Sequence, residues 1–270
     1  GSEIEYLILS HTDADHWGSA KKIVENYKVK NILRTDYRIG DRSKTLDKAI
    51  KAIDEVTYAY NDFNLSENEM RPDTLFHDQD GVELYFMMGF GDIPDITGWD
   101  KLSHSKKNNG VSIVVKLVYG EHSILFTGDA VGRYDGEDGC IASEKFMLDS
   151  LSEDLIDSDV LVAAHHGADN GSCQEFIDAV SPEYVAFPAG HKYRHPNLST
   201  ATRFIDDYGL SKDNILRTDH GDYEPGGTEP YQQEWRYPFM TEDKDSHSDD
   251  HIRIIFPADG QIQFDFEIAH

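Results

Sequence analysis

The chain has 270 residues, long enough for one large domain or two small ones with a sizeable buried core. Its 39% hydrophobic share, with 14 Tyr and 13 Phe, describes a globular protein, and no apolar run approaches the roughly 20 residues that span a bilayer. A formal net charge of -26 counts against strong nonspecific nucleic-acid binding, because such a surface repels phosphate backbones at long range.

Apolar, β-branched runs bounded by turn residues alternate with helical periodicity. Ile4 to Leu9 reads as a buried strand that runs into "SHTDADHWGS". Beyond it, Ala20, Ile23, Val24 and Tyr27 follow the spacing of one helix face. "VKNILRT" reads as a strand, and Leu46, Ala49, Ile50 and Ile53 mark a second helix. Residues 61–80 are polar without a period and read as an insertion, and Gly89 to Asn109 reads as a Gly/Asp-rich loop after the strand "VELYFMM". "VSIVVKLVYGEHSILFTGDA" predicts a hairpin turning at Gly120 and Glu121. A helix over Ser143 to Leu151, the strand "DVLVAAHHG", a helix near Cys173 to Val180 and the strand "YVAFPAG" follow. A helix over Thr200 to Tyr208 precedes "NILRTDHG", and the segment 221–250, with Trp235, Tyr237 and Phe239, reads as a second insertion before a closing hairpin. One α/β domain spanning 1–270 is the economical organisation. Cys140 and Cys173 lie outside any Cys-x-x-Cys pattern, which excludes a zinc ribbon and leaves two free thiols as the default, with one bridge between them still open. A soluble, cytoplasmic protein is the default, although the leading Gly-Ser without Met reads as the start of a piece of a longer chain.

The chemistry concentrates where His11, Asp13, Asp15 and His16 follow a strand and precede a helix. That places them at a strand's C-terminal edge, where open α/β sheets carry their sites. Imidazoles mixed with carboxylates suit zinc, manganese or iron. A calcium loop fails on counting: Asp13, Asp15 and Gly18 would occupy positions one, three and six, but Trp17 and Val24 would then have to chelate.

His-x-Asp-x-Asp-His after an apolar strand resembles the metal motif of the metallo-β-lactamase superfamily, and the variant with Asp13 resembles the hydrolase domain of ComEC-type DNA-uptake proteins and their stand-alone relatives. "NNGVSIVV", "ILFTGDA", "VLVAAHHGADNGS", "EYVAFPAGHKYRHPN" and "ILRTDHGD" match in the same order. The resemblance implies an αββα sandwich. Ten residues precede the loop, where the superfamily has two or more strands, so the fold is expected to lack or shorten its N-terminal strands.

It further implies a site for two divalent ions, zinc or manganese, with His11, Asp13, Asp15, His16, Asp129, His166 and His195 as ligands and Asp129 as the bridge. Asp15 and His165 are then the catalytic pair, His165 as general acid or transition-state donor, although the swapped assignment of His165 and His166 stays open. His191 competes with His195, and His220 is the likeliest of the other histidines to approach. The separate histidine that many members carry before the Gly-Asp pair is missing; His166 is inferred to fill its role, and Asn108, Asn109 and Ser112 to orient neighbouring groups or substrate. The implied function is phosphodiester or phosphoryl-ester hydrolysis by a metal-bound hydroxide, nuclease-like but on a small or single-stranded substrate. Hydrolysis of a carbon ester, lactone or β-lactam, and a metal-stabilised interaction subunit without turnover, are the alternatives. A sheet edge left open would favour a homo-oligomer or larger assembly.

Overall fold

Strand β1 (Glu3–Leu9) carries a period-two pattern with both faces apolar towards its C-terminus, so it divides two cores. In this computed structural model, which describes residues 2–134, 136–189, 195–218, 251–257 and 260–267, Leu7 and Leu9 of β1 pack towards helices, while Tyr6 and Ile8 face a second sheet. The chain passes through the short helix α1 (Ala14–Trp17) and α2 (Ala20–Asn26) into β2 (Lys28–Arg34), which pairs parallel with β1. Helix α3 (Lys44–Asp54) starts at Ser43, whose hydroxyl accepts from the Leu46 N–H as an N-cap. Leu46, Ala49 and Ile53 then meet Trp17, Val24 and Ile32 in a buried cluster. Strand β3 (Asn61–Asn64) completes a parallel sheet in the order β1-β2-β3.

The second sheet begins with β4 (Thr74–Gln79), β5 (Val82–Met88), β6 (Val114–Tyr119) and β7 (His122–Phe126), all antiparallel neighbours. Between β5 and β6 lies α4 (His104–Gly110). Helices α5 (Ala142–Ser150) and α6 (Glu153–Ile156) make the crossover that parallel pairing of β7 with β8 (Val160–Val162) requires. Helix α7 (Gln174–Val180) leads to β9 (Tyr184–Phe187), and α8 (Leu198–Thr202), continued by a wider turn to Asp207, leads to β10 (Ile215–Arg217). The order is β10-β9-β8-β7-β6-β5-β4. Its outer face buries Leu125, Leu161, Phe187 and Val185 against Met147, Phe176, Ile177 and Phe204 from the helical side. Its inner face meets the first sheet through Leu33, Leu84, Phe86, Ile113 and Val115. Helices, sheet, sheet, helices: this is the αββα sandwich that the resemblance of the motifs implies. A hairpin of β11 (His251–Ile255) and β12 (Gln263–Glu267) packs Ile254 and Ile262 near Ile124 and Val160.

Three expectations change. Residues 61–80 contain β3 and β4, which pairing along sheet edges reveals and polar composition hid. The stretch from Gly89 to Asn109 is not all loop: α4 forms from His, Ser, Lys and Asn without an apolar stripe, because Ser103 caps it through the Lys106 N–H. Cys140 and Cys173 are not free thiols; they form a disulfide with Cα atoms 5.5 Å apart, a linkage that persists in oxidising compartments and is rare in the cytosol. Among the described residues no helix is long and apolar enough to cross a membrane. The 221–250 segment lies outside the described residues.

Candidate metal centre

Three chain segments converge at the C-terminal ends of β1, β7 and β8. The turn after β1 supplies His11, Asp13, Asp15 and His16, with Asp15 and His16 on α1. Gly128 turns the chain after β7 at φ 53°, and a Cβ there would lie 2.9 Å from the Ser10 Cβ, so glycine is what lets Asp129 approach the first loop. After β8 the chain does not continue as a strand end: His165 and His166 both take left-handed backbone angles, φ 50° and 56°. Consecutive left-handed residues are costly away from glycine, and this turn is what brings both rings to one site.

Asp129, almost fully buried, stands at the centre. Its Oδ1 lies 3.1 Å from His16 Nε2 and 3.6 Å from His166 Nε2; Asp15 Oδ2 is 3.4 Å from the same His166 nitrogen and 3.7 Å from His16. Its Oδ2 lies 3.6 Å from His11 Nε2 and 3.7 Å from His165 Nε2, and Asp13 Oδ2 is 3.9 Å from His11. The two oxygens of one carboxylate thus face two separate groups of side chains.

The outer ring nitrogens are engaged elsewhere. His166 Nδ1 is 2.7 Å from the Pro188 carbonyl, which can only accept, so a neutral His166 keeps its proton on Nδ1 and its lone pair on Nε2. His16 Nδ1 is 2.8 Å from the Ser10 hydroxyl, and His11 Nδ1 lies 3.2 Å from Ser10 and 3.3 Å from Ser112. Ser112 also accepts from the Asp129 N–H at 3.0 Å. The inward atoms, in contrast, have no hydrogen-bond partner: Nε2 of His11, His16 and His166, and Oδ1 of Asp129, are buried and unsatisfied. Four such orphans in one place would be costly unless a cation joins them. The donor set, neutral imidazoles with carboxylates whose outer atoms are fixed by neighbours, fits a transition-metal ion.

His165 is different. Its Nδ1 is 2.8 Å from Asn170 Oδ1. Asn109, oriented so that its amide meets complementary partners, accepts from His165 Nε2 and donates to Asp13 Oδ2, each at 3.2 Å. Both His165 nitrogens therefore face amide oxygens, which suits a proton-carrying ring. Asp13 is also bound by Arg38, whose Nη1 lies 2.7 Å from Asp13 Oδ1.

Burial lowers His11 to a pKa of about 4, so the ring is neutral and ready to ligate near neutral pH. The His166 ring beside Asp15 holds its carboxyl down at about 2. Burial pushes Asp129 up, but the neighbouring rings of His16, His11 and His165 outweigh it and leave the carboxyl well below its ordinary range.

Of the expected residues, six of the seven ligands and the second catalytic candidate gather around Asp129. His195 stands a little apart, its ring centroid 5.7 Å from His165 and 6.3 Å from His166. Burial and those two neighbours lower its pKa to about 4. His191 and His220 lie outside the described residues. His77 is not a bare surface residue; its ring meets Tyr6 edge-on at 5.1 Å. The sequence reading missed Arg38, Ser10, Asn170 and Glu144. Glu144 is fully buried and accepts from the Ser172 and Cys173 N–H groups, anchoring the loop that bears Asn170. Gly132 makes room for it, since a Cβ there would lie 1.7 Å from Glu144 Oε2.

No family model matches the chain. It is 25% identical over 219 residues, 80% of its length, to ComE operon protein 3 of Bacillus subtilis, and 32% identical over 114 residues, 42% of its length, to competence protein ComA of Neisseria gonorrhoeae. It spans only 24% and 14% of those proteins, respectively. Similar solved structures include CmlA, a diiron β-hydroxylase from Streptomyces venezuelae, at TM-score 0.46 and 12% identity over 80% of this chain and 44% of that one. The metallo-β-lactamase fold protein YhfI from Bacillus subtilis gives 0.39 and 13% over 79% and 73%, and human tRNase Z, short form, gives 0.37 and 12% over 68% and 71%. The resemblance to ComEC-type proteins read from the motifs holds across most of the chain.

Proposed function

We propose that this chain is a metal-dependent hydrolase of a phosphodiester or related phosphoryl ester. The observation that carries the reading is the convergence of three buried, unpartnered imidazole nitrogens on the Asp129 carboxylate, His16 and His166 at its unpartnered Oδ1 and His11 at its Oδ2. In this reading Asp15, His16, His166 and Asp129 would hold one ion, and His11, Asp13 and Asp129 a second, with His195 beside the pair. Bound there, two divalent ions such as zinc or manganese supply a nucleophile at neutral pH and neutralise charge on phosphoryl oxygens. Asp129 sets the spacing of the two positions. Ser10, Ser112 and the Pro188 carbonyl keep the imidazoles turned so that their lone pairs face inward. His165 presents a proton to the leaving oxygen, held in orientation by Asn109 and Asn170. Its committed nitrogens favour the donor role over ligation, and the orphaned Nε2 of His166 favours ligation.

The test uses protein stripped of metal and reloaded with manganese or zinc, assayed on a generic aryl phosphodiester beside Asp129→Asn. Metal-dependent turnover is expected, with a loss in the variant of about 10³-fold or more, since both positions lose their shared ligand. Full occupancy by two ions without phosphodiester turnover would sink the reading and direct the search to carbon esters or to a docking role.

A further inference from the structure

The chain's net charge of -26 raises a question that the metal ligands do not answer: what holds an anionic substrate at this site? The loop between β2 and α3 offers one cation. Arg38 is the only Arg or Lys that pairs with His11, Asp13, Asp15, His16 or Asp129 among the described residues. Its placement is built. Asn108 grips the next residue from both sides, accepting from the Ile39 N–H at 2.7 Å and donating to the Ile39 carbonyl at 3.2 Å. Two of the guanidinium's three nitrogens are fixed, Nη1 on Asp13 and the Thr12 carbonyl and Nε on the Asp41 carbonyl. Its Nη2 makes no hydrogen bond among the described residues, and one fifth of the side chain is exposed. A guanidinium held through Nε and Nη1 beside a metal-type carboxylate, with Nη2 to spare, has the geometry for a phosphoryl oxygen. A structural ion pair alone would not need a doubly anchored loop.

We propose that Arg38 is the anion-binding residue of the site, gripping an unesterified oxygen of a phosphoryl group while Asp13 keeps its other oxygen towards His11. The inference rests on the phosphoester reading and adds to it that the substrate carries a formal negative charge at the reacting group. Asn108 is the positioning residue for Arg38.

The experiment compares the intact chain with Arg38→Met and Arg38→Lys, each loaded with manganese, with metal content measured for every sample. Inorganic phosphate is titrated calorimetrically, and the neutral ester 4-nitrophenyl acetate is assayed alongside. Phosphate is expected to bind about 10- to 100-fold more weakly to Arg38→Met, the loss of one charged hydrogen-bonded contact, with Arg38→Lys in between. Metal content and the KM for the neutral ester should stay within about twofold on the same scale. Phosphate binding unchanged in Arg38→Met overturns the proposal, as does a loss that follows the metal content, which would make Arg38 a positioning group for Asp13 alone. The calorimetry does not depend on turnover: if the unaltered chain binds phosphate but cleaves no phosphoester, the hydrolase reading fails while the assignment of Arg38 is still decided.

Discussion

The two oxygens of Asp129 face unlike surroundings. On the Oδ1 side, His16 and His166 leave their inward nitrogens without hydrogen-bond partners, as an ion site should. On the Oδ2 side, His11 is equally bare, but Asp13 is engaged by Arg38 and Asn109, and His165 by Asn109 and Asn170. One half of the centre is a cage, and the other half is tied into a hydrogen-bonded chain. The contrast sets His16 and His166, whose inward nitrogens are bare, apart from Asp13 and His165, whose atoms neighbouring side chains already engage.

The sharpest way to break that comparison is to remove each histidine of the consecutive pair. His166→Ala should release an ion from the Oδ1 side and abolish turnover, as measured by metal content after dialysis. His165→Ala should keep both ions and lower kcat by about 10²- to 10⁴-fold, the range for loss of a general acid. Metal loss of equal size in both variants would erase the distinction between the halves.

A smaller effect is expected one layer out. Ser10→Ala removes the partner of His16 Nδ1 and one partner of His11 Nδ1, so affinity for the more weakly held ion should fall about 10- to 100-fold. Competition with a chromophoric chelator would measure it, and unchanged affinity would mean that packing alone orients the rings.

The smallest effect concerns the loop that carries the pair. Burial raises Glu144 to a pKa of about 7, above its ordinary 4.5. A carboxyl raised in the folded state favours folding while protonated, and that contribution is lost as pH rises from about 4.5 through about 7. Its size is at most about 3 kcal/mol. Urea unfolding at several pH values should therefore show this decline in the unaltered chain relative to Glu144→Gln. Parallel curves for the two proteins would assign the carboxylate's charge to its N–H partners with no net cost.

Much of this molecule could be read from residue order. The turn after Leu9, the Gly-Asp pair and the His-His-Gly stretch each follow an apolar run, so strand ends and polar clusters were visible together. Asn108, Asn109 and Ser112 were expected to orient their neighbours, and each contacts a residue of the site or of its adjoining loop. Edge strands β3 and β4 escaped notice because a strand paired on one side needs no strict alternation of apolar and polar residues. Helix α4 escaped because its stability comes from the Ser103 cap and from docking of its C-terminal Asn-Asn-Gly, not from an apolar stripe. The Cys140–Cys173 bridge escaped because a separation of 33 residues says nothing about distance in space.

By itself, residue order determined the residue types of the site and its location at strand ends, because these depend on local periodicity and spacing, while the class of sandwich was implied by the resemblance of the motifs to a known family. Which imidazole nitrogen faces inward, which of two adjacent histidines is left unpartnered and which arginine enters the centre were decided only by tertiary structure. Those properties depend on hydrogen-bond partners that come from distant parts of the chain: Pro188 for His166, Asn109 and Asn170 for His165, and the loop after β2 for Asp13. A side chain's chemistry is local, but its orientation belongs to whatever the fold packs against it.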